Sequence, residues 1–119
     1  MTTVVQLSSE QLHLPYFVVQ PKSTIGKFGS IFSSNEWLEI SKEFGNNFVV
    51  QSDDMNRIRM FLTIQFAEVM LENPNCTLEG NGNHLFMYQH NSIIDLVDLD
   101  HIVRSCYEIV DNILYFEGE

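Results

Sequence analysis

Cys76-Thr77-Leu78-Glu79-Gly80-Asn81-Gly82-Asn83-His84-Leu85-Phe86-Met87-Tyr88 is the stretch on which the fold turns. Two β-rich arms flank a Gly-Asn-Gly centre, and Asn81-Gly82 can take the positive φ values of a type I′ turn, so a hairpin is expected. Pairing outward from that turn sets Gly80 opposite Asn83, Glu79 opposite His84, Leu78 opposite Leu85 and Cys76 opposite Met87. Cys76, Leu78, Leu85 and Met87 then share the core face, and Thr77, Glu79, His84, Phe86 and Tyr88 share the other.

A hairpin alone is marginal in water, so the elements around it must supply its cover. On its C-terminal side Asp98 is the expected helix N-cap, with Asp100 in the first turn, where a carboxylate suits the helix dipole. Leu99, Ile102, Val103, Cys106, Tyr107, Ile109, Val110, Ile113 and Leu114 line one face of that helix. Asp100, His101, Arg104, Ser105, Glu108, Asp111 and Asn112 line the other. On the N-terminal side Ser52-Asp53-Asp54 offers capping oxygens for a helix from about Asp54 to Glu72, ended by Asn73-Pro74-Asn75. Ile58, Leu62, Phe66 and Val69 form one stripe of it. Met60, Ile64, Ala67 and Leu71 form a second, on the opposed side. A surface helix needs one apolar stripe. Two predict a helix covered on both sides, so Met60, Ile64, Ala67 and Leu71 are covered either by the chain's own elements or by another subunit, for which they are the candidate interface.

Further N-terminal, Leu14-Pro15-Tyr16-Phe17-Val18-Val19-Gln20 reads as a strand that Pro21 stops, because proline donates no ladder hydrogen bond. Gly26 and Gly29 punctuate the next stretch, Ile31-Phe32 is a short strand candidate, and residues Asn35 to Ile40 fit a helical turn or a strand. Gly45-Asn46-Asn47 signals a turn before the strand Phe48-Val49-Val50-Gln51. Ser8 to Leu12 fits a short helical turn. The order is strands, helix, β-hairpin, helix: an α+β fold, an antiparallel sheet with two main helices packed on it. The 119 residues carry no repeat or linker and are expected to form one domain, 1–119.

Sixteen Asp and Glu stand against six Lys and Arg, a formal charge of -10. That balance argues against nucleic acid and anionic membranes, which need clustered cations. No apolar run approaches the ~20 residues of a membrane helix. Met1 to Gln6 lacks the basic and apolar regions of a secretory signal, so a cytoplasmic location is expected. The two cysteines are too few for a disulfide scaffold.

Chemistry-bearing patterns are sparse. His13, His84, His90 and His101 show no zinc-ligand spacing, and His84 is better read as the cross-strand partner of Glu79. Cys76 and Cys106 fall on core-facing positions, where a thiol is inert. No nucleophile elbow occurs. Gly80-Asn81-Gly82 lies between strands with no lysine nearby, unlike a phosphate loop. Asp53, Asp54, Asp98 and Asp100 are explained as helix caps and dipole partners. The reading is therefore not an enzyme, with no catalytic residues, no cofactor and no metal.

The run Phe48-Val49-Val50-Gln51-Ser52-Asp53-Asp54, with Arg57, Phe61-Leu62-Thr63 and Phe66, resembles an uncharacterised family of bacterial domains of unknown function. Those domains combine an F-x-V strand, an S/G-x-D cap and a helix bearing L-T/F-x-x-F. Gly80-Asn81-Gly82 with Leu85-Phe86-Met87-Tyr88 is similar to their Gly-rich hairpin, and Leu14-Pro15-Tyr16-Phe17 to their opening. The resemblance spans residues 14 to 114 and implies an α+β domain without a known activity. The element order also resembles the secretion-chaperone-like fold, whose members dimerise and bind proteins. Residues 95–119 hold seven acidic groups against Arg104. Asp100, Glu108 and Asp111 thus mark an acidic face for a basic partner. Two functions are expected from these features. One is a non-enzymatic protein-binding module acting as a homodimer. The other is an acidic inhibitor or immunity-type protein covering a basic site on a toxin or nuclease.

Overall fold

The computed structural model describes residues 2–25, 41–90 and 92–117. Their order is β1 (Val4–Ser8), β2 (Leu14–Pro21), α1 (Lys22–Ile25), α2 (Lys42–Asn47), β3 (Phe48–Ser52), α3 (Met55–Ile58), α4 (Ile64–Leu71), β4 (Cys76–Gly82), β5 (His84–Gln89) and α5 (Leu96–Glu117). The strands form one antiparallel sheet in the order β1-β5-β4-β2-β3, so the fold is α+β. The segments Gly26 to Gly29, Ile31-Phe32 and Asn35 to Ile40, for which turns, a strand or a helical turn were expected, lie outside the described residues.

One sheet face is built from Val5, Leu7, Phe17, Val19, Phe48, Val50, Cys76, Leu78, Leu85 and Met87, and the helices lie on it. α5 packs over β1 and β5, α4 lies beside α5, and α2 packs against α4 and β3. Phe44 of α2 stacks on Phe48 at 5.2 Å and meets Phe66 of α4 edge-on at 6.2 Å. Gly80 faces Phe17 across β2 and β4, and the fully buried Phe17 ring occupies the space a β-carbon there would take.

The helix expected from Asp54 to Glu72 is two helices. Asp54 caps α3 by accepting the Arg57 N–H, as its position predicts. After one turn the chain tightens through Met60 N–H to Arg57 O and Phe61 N–H to Ile58 O. It then extends at Thr63, whose hydroxyl accepts the Phe66 N–H and starts α4 afresh. A capping threonine inside the apolar periodicity ends one helix and begins the next. Gly45-Asn46-Asn47, expected as a turn, closes α2, which Ser41 caps at its start.

The hairpin forms in a register displaced from the expected one. Leu78 pairs with Met87, Glu79 with Phe86, Gly80 with Leu85 and Asn81 with His84, leaving Gly82 and Asn83 as the loop. Gly82 carries the positive φ, 62°. The Asn83 carbonyl instead accepts from Ser9 N–H and joins the β1 ladder. Both members of every pair keep their face, so Cys76, Leu78, Leu85 and Met87 are buried in the core as expected. α5 begins two residues before the expected cap, which places Asp98 in its first turn. β1, α1 and α2 were not foreseen.

Candidate functional site

The opposite sheet face carries a different population. A transverse row runs Gln6, Phe86, Glu79, Val18, Gln51 across all five strands, each adjacent pair in register. Flanking it are Val4, Tyr88 and Thr77 on one side and Ser8, His84 and Asn81 on the other. Tyr16 of β2 is also exposed. The alternation that turns Phe17 and Val19 inward turns Tyr16 and Val18 outward. None of α2 to α5 lays its buried side chains here: Val18 and Val49 are buried yet stand apart from the cluster that joins helices and sheet. The result is a surface of half-buried aromatic rings among glutamines, with Glu79 near its middle. None of the five strands contains Lys or Arg.

Hydrogen bonds fix the rings. Tyr88 Oη donates to Glu79 Oε1 at 2.8 Å. Burial, and then that carboxylate holding the proton, push the Tyr88 hydroxyl up to about 12. At the hairpin end Ser8 Oγ lies 2.7 Å and Gln6 Nε2 3.4 Å from His84 Nδ1, and the His84 ring sits 6.1 Å from Phe86. Ser8 and His84 have the spacing of a nucleophile and its base. They are direct cross-strand neighbours at the end of the sheet, and Gln6 also approaches that nitrogen. The expected Glu79–His84 pairing is replaced by Glu79 with Tyr88 and His84 with Ser8, a consequence of the shifted register.

Two clefts lie elsewhere. An open one of about 530 Å³, lined by Glu10, Leu12, His13, Leu14, Arg57, Gly82 and Asn83, sits at the hairpin tip. A narrower one of about 210 Å³ lies where β4 and β5 meet the start of α5, between Asn73, Cys76, Gln89, Asp98 and His101. Cys76 is one of its lining residues, with its thiol pushed up to about 11 by burial against the opposing hydrogen bond to Gln89. Cys106 Sγ donates to Met87 Sδ at 3.5 Å and is pushed up to about 12 by burial and by Cys76. Both thiols are thus held protonated in the core. Among the described residues no three His, Cys, Asp or Glu converge as a metal site. None of the described helices is long and apolar enough to cross a membrane.

The candidate interface of Met60, Ile64, Ala67 and Leu71 does not form one face. Met60 and Ile64 are 60% and 55% exposed, whereas Ala67 is 3% exposed in the core and Leu71 packs partly against it. Met60 lies in the turn between α3 and α4, so the opposed stripe of a single rod is divided by the Thr63 cap. Asp100, Glu108 and Asp111 are each exposed on α5, with Arg104 bridging to Asp100 at 3.1 Å. Two residues of α5 change sides relative to expectation. Tyr107 is exposed at the flank, and among the described residues no strand lies beyond β1 to cover it. Ser105, expected on the polar face, is buried, where its hydroxyl accepts from Asn73 Nδ2 at 2.9 Å.

The aromatic surface was half legible, because Thr77, Glu79, His84, Phe86 and Tyr88 were placed together by alternation alone. Tyr16, Gln6 and Ser8 join them only through pairings across 76 or more residues in the case of β1. In comparisons with protein-family models, with curated proteins and with solved structures, no match to this chain was found.

Proposed function

We propose that this chain is a non-catalytic protein-binding module whose sheet face bearing Tyr16, Phe86 and Tyr88 receives a basic segment of another protein. The observation that carries the reading is the group of Tyr16, Phe86 and Tyr88 on the sheet face opposite α2 to α5, with Tyr16 46% exposed. Tyr and Phe are the residues enriched at the centres of protein interfaces. Their ring faces attract Arg and Lys by about 0.5–1 kcal/mol each at exposed sites. The charge of -10 supplies the long-range field that draws a cationic partner in. A nucleic acid would be repelled by the same field.

A second reading is favoured by the exposed alignment of Asp100, Glu108 and Asp111 on α5: an acidic cover for a basic site on a toxin or nuclease. Titrating ¹⁵N-labelled protein with an arginine-rich peptide separates the two. On the first reading, amide shifts centre on Gln6, Tyr16, Glu79, Phe86 and Tyr88, and Tyr88→Ala weakens binding several-fold. Shifts centred on Asp100, Glu108 and Asp111 support the second instead. Shifts spread evenly over the acidic surface, unchanged by Tyr88→Ala, reject the sheet-face site.

A further inference from the structure

We propose that two copies of this chain join through their β1 strands, edge to edge, into one continuous ten-stranded antiparallel sheet. This uses the outward backbone edge of β1, whose Val4, Gln6 and Ser8 side chains border the aromatic face, and goes beyond the binding function inferred above. β1 ends the sheet, and its sequence Val4-Val5-Gln6-Leu7-Ser8 holds no charge, proline or bulge of the kind that blunts an edge.

The backbone polarity of that edge follows from the register. Ser9 N–H donates to Asn83 O, one step beyond the Ser8–His84 pair. Ladder bonds alternate along an antiparallel strand, so Val5 and Leu7 turn their backbone groups toward β5. Val4, Gln6 and Ser8 therefore turn theirs outward, and among the described residues nothing pairs with them. About a two-fold axis at Gln6, Val4 meets Ser8 of the second copy, Gln6 meets Gln6, and about six backbone hydrogen bonds close. That register also sets Val5 against Leu7 of the second copy on the helix-bearing face, so the apolar layer runs on unbroken.

The helix above the edge selects a second copy over a lone extended peptide. α4 flanks α5 on one side, through Asn73 on Ser105 and the Asn112 Nδ2 bond to Phe61 O. At about 100° per residue, the other flank of α5 presents Leu96 and Tyr107 beside Val103 and Leu114, which pack partly on the core. Leu96 is 84% and Tyr107 56% exposed. Ile93, also exposed, is held between two hydrogen bonds to Thr3 at the start of the same edge. A peptide strand would satisfy the backbone and leave this strip bare one layer up. A second copy brings its own strip to the same height. Over the ~33 Å of α5 and a sheet-plus-helix depth of ~20 Å, each copy would bury roughly 650 Å², near the ~800 Å² of a standard interface.

Two like-charged copies repel, so this association tightens as salt rises, opposite to the docking of a basic partner. Sedimentation velocity from about 1 to 100 μM, at about 0.05 and 0.5 M salt, is expected to show a particle of twice the 13.8 kDa chain mass. Gln6→Pro removes an outward N–H that β5 does not use, and Tyr107→Glu charges the flank. Each should weaken association by at least about tenfold while circular dichroism of the dilute protein stays unchanged. Ile64→Asp, on the α4 surface, should leave association intact. If Gln6→Pro disturbs the fold, Tyr107→Glu decides alone. A strict monomer at every concentration and salt overturns the proposal, as does a dimer that is indifferent to Tyr107→Glu or that Ile64→Asp dissociates.

Discussion

Gly80→Ala isolates a single steric fact. Gly80 stands opposite Phe17 in the β2–β4 register, and a β-carbon built there would lie 2.1 Å from one Phe17 ring carbon and 2.8 Å from two more. Ordinary contact begins near 3.4 Å, so the ring would have to withdraw by about 1.3 Å. It has little room to do so, being fully buried and set edge-on to Phe61 at 6.0 Å. Overpacking of this kind costs about 1–3 kcal/mol, and replacing a strand glycine returns roughly 0.5–1 kcal/mol of backbone entropy. The net expectation is a loss of about 1–2 kcal/mol. At roughly 4 °C per kcal/mol for a domain of this size, the midpoint falls by about 4–8 °C. Thermal and urea denaturation followed by circular dichroism measure it. Because the clash is with Phe17, Phe17→Leu in the same chain should recover part of the loss, so the double variant is less destabilised than the two singles together by more than ~0.5 kcal/mol. A Gly80→Ala protein as stable as the parent, or strictly additive with Phe17→Leu, would refute the assignment of that ring over that glycine.

Alkali should unfold the protein in a defined window. Cys76, Cys106 and Tyr88 are raised to about 11, 12 and 12 from ordinary values of 9.0, 9.0 and 10.0. Their neutral forms are favoured by folding, so that stability is whole below pH 9 and is lost progressively up to about pH 12, which urea midpoints taken against pH will trace. Thiol labelling at pH 8 is expected to run about a hundredfold or more slower in the native than in the urea-unfolded chain; fast native labelling of either cysteine would contradict their burial. Asn73→Ala removes donors to Val69 O at 2.8 Å and Ser105 Oγ at 2.9 Å and should cost about 1–3 kcal/mol, with Ser105→Ala costing less, both read from urea midpoints. Thr63→Ala should cost about 0.5–2 kcal/mol if its hydroxyl is the true start of α4, whereas a continuous helix through residue 63 would be strengthened by alanine.

The parts of the fold readable in the chain are those governed by strict local period. Face assignment in the hairpin survives a wrong turn because its register moved by two in the sum of paired positions, which leaves every side chain on its own side. Only the partners change: Glu79 gains Tyr88 and His84 gains Ser8. The long helix fails for the opposite reason. Its apolar spacing continues through a Thr63 whose hydroxyl cap is a local signal, and periodicity outweighed it. Val5 and Leu7 inward with Val4, Gln6 and Ser8 outward is a strand alternation, but five residues are too short a window to declare it. Tyr107 sits on the rim of an apolar arc, and whether a rim residue is covered depends on how many strands lie beneath, which only the sheet order decides.

The adhesion of β1 to β5 and α5 also sets a schedule. On a ribosome the five residues from Val4 to Ser8 emerge long before His84 to Tyr88, their only ladder partners among the described strands, and before the helix that roofs them. Closing so large a loop makes this a late, non-local step, in contrast to the hairpin of β4 and β5, which can form as soon as it leaves the exit tunnel. The nascent chain therefore carries β1 unpaired through most of its synthesis, an edge that stays without its ladder until residues 84–88 have followed.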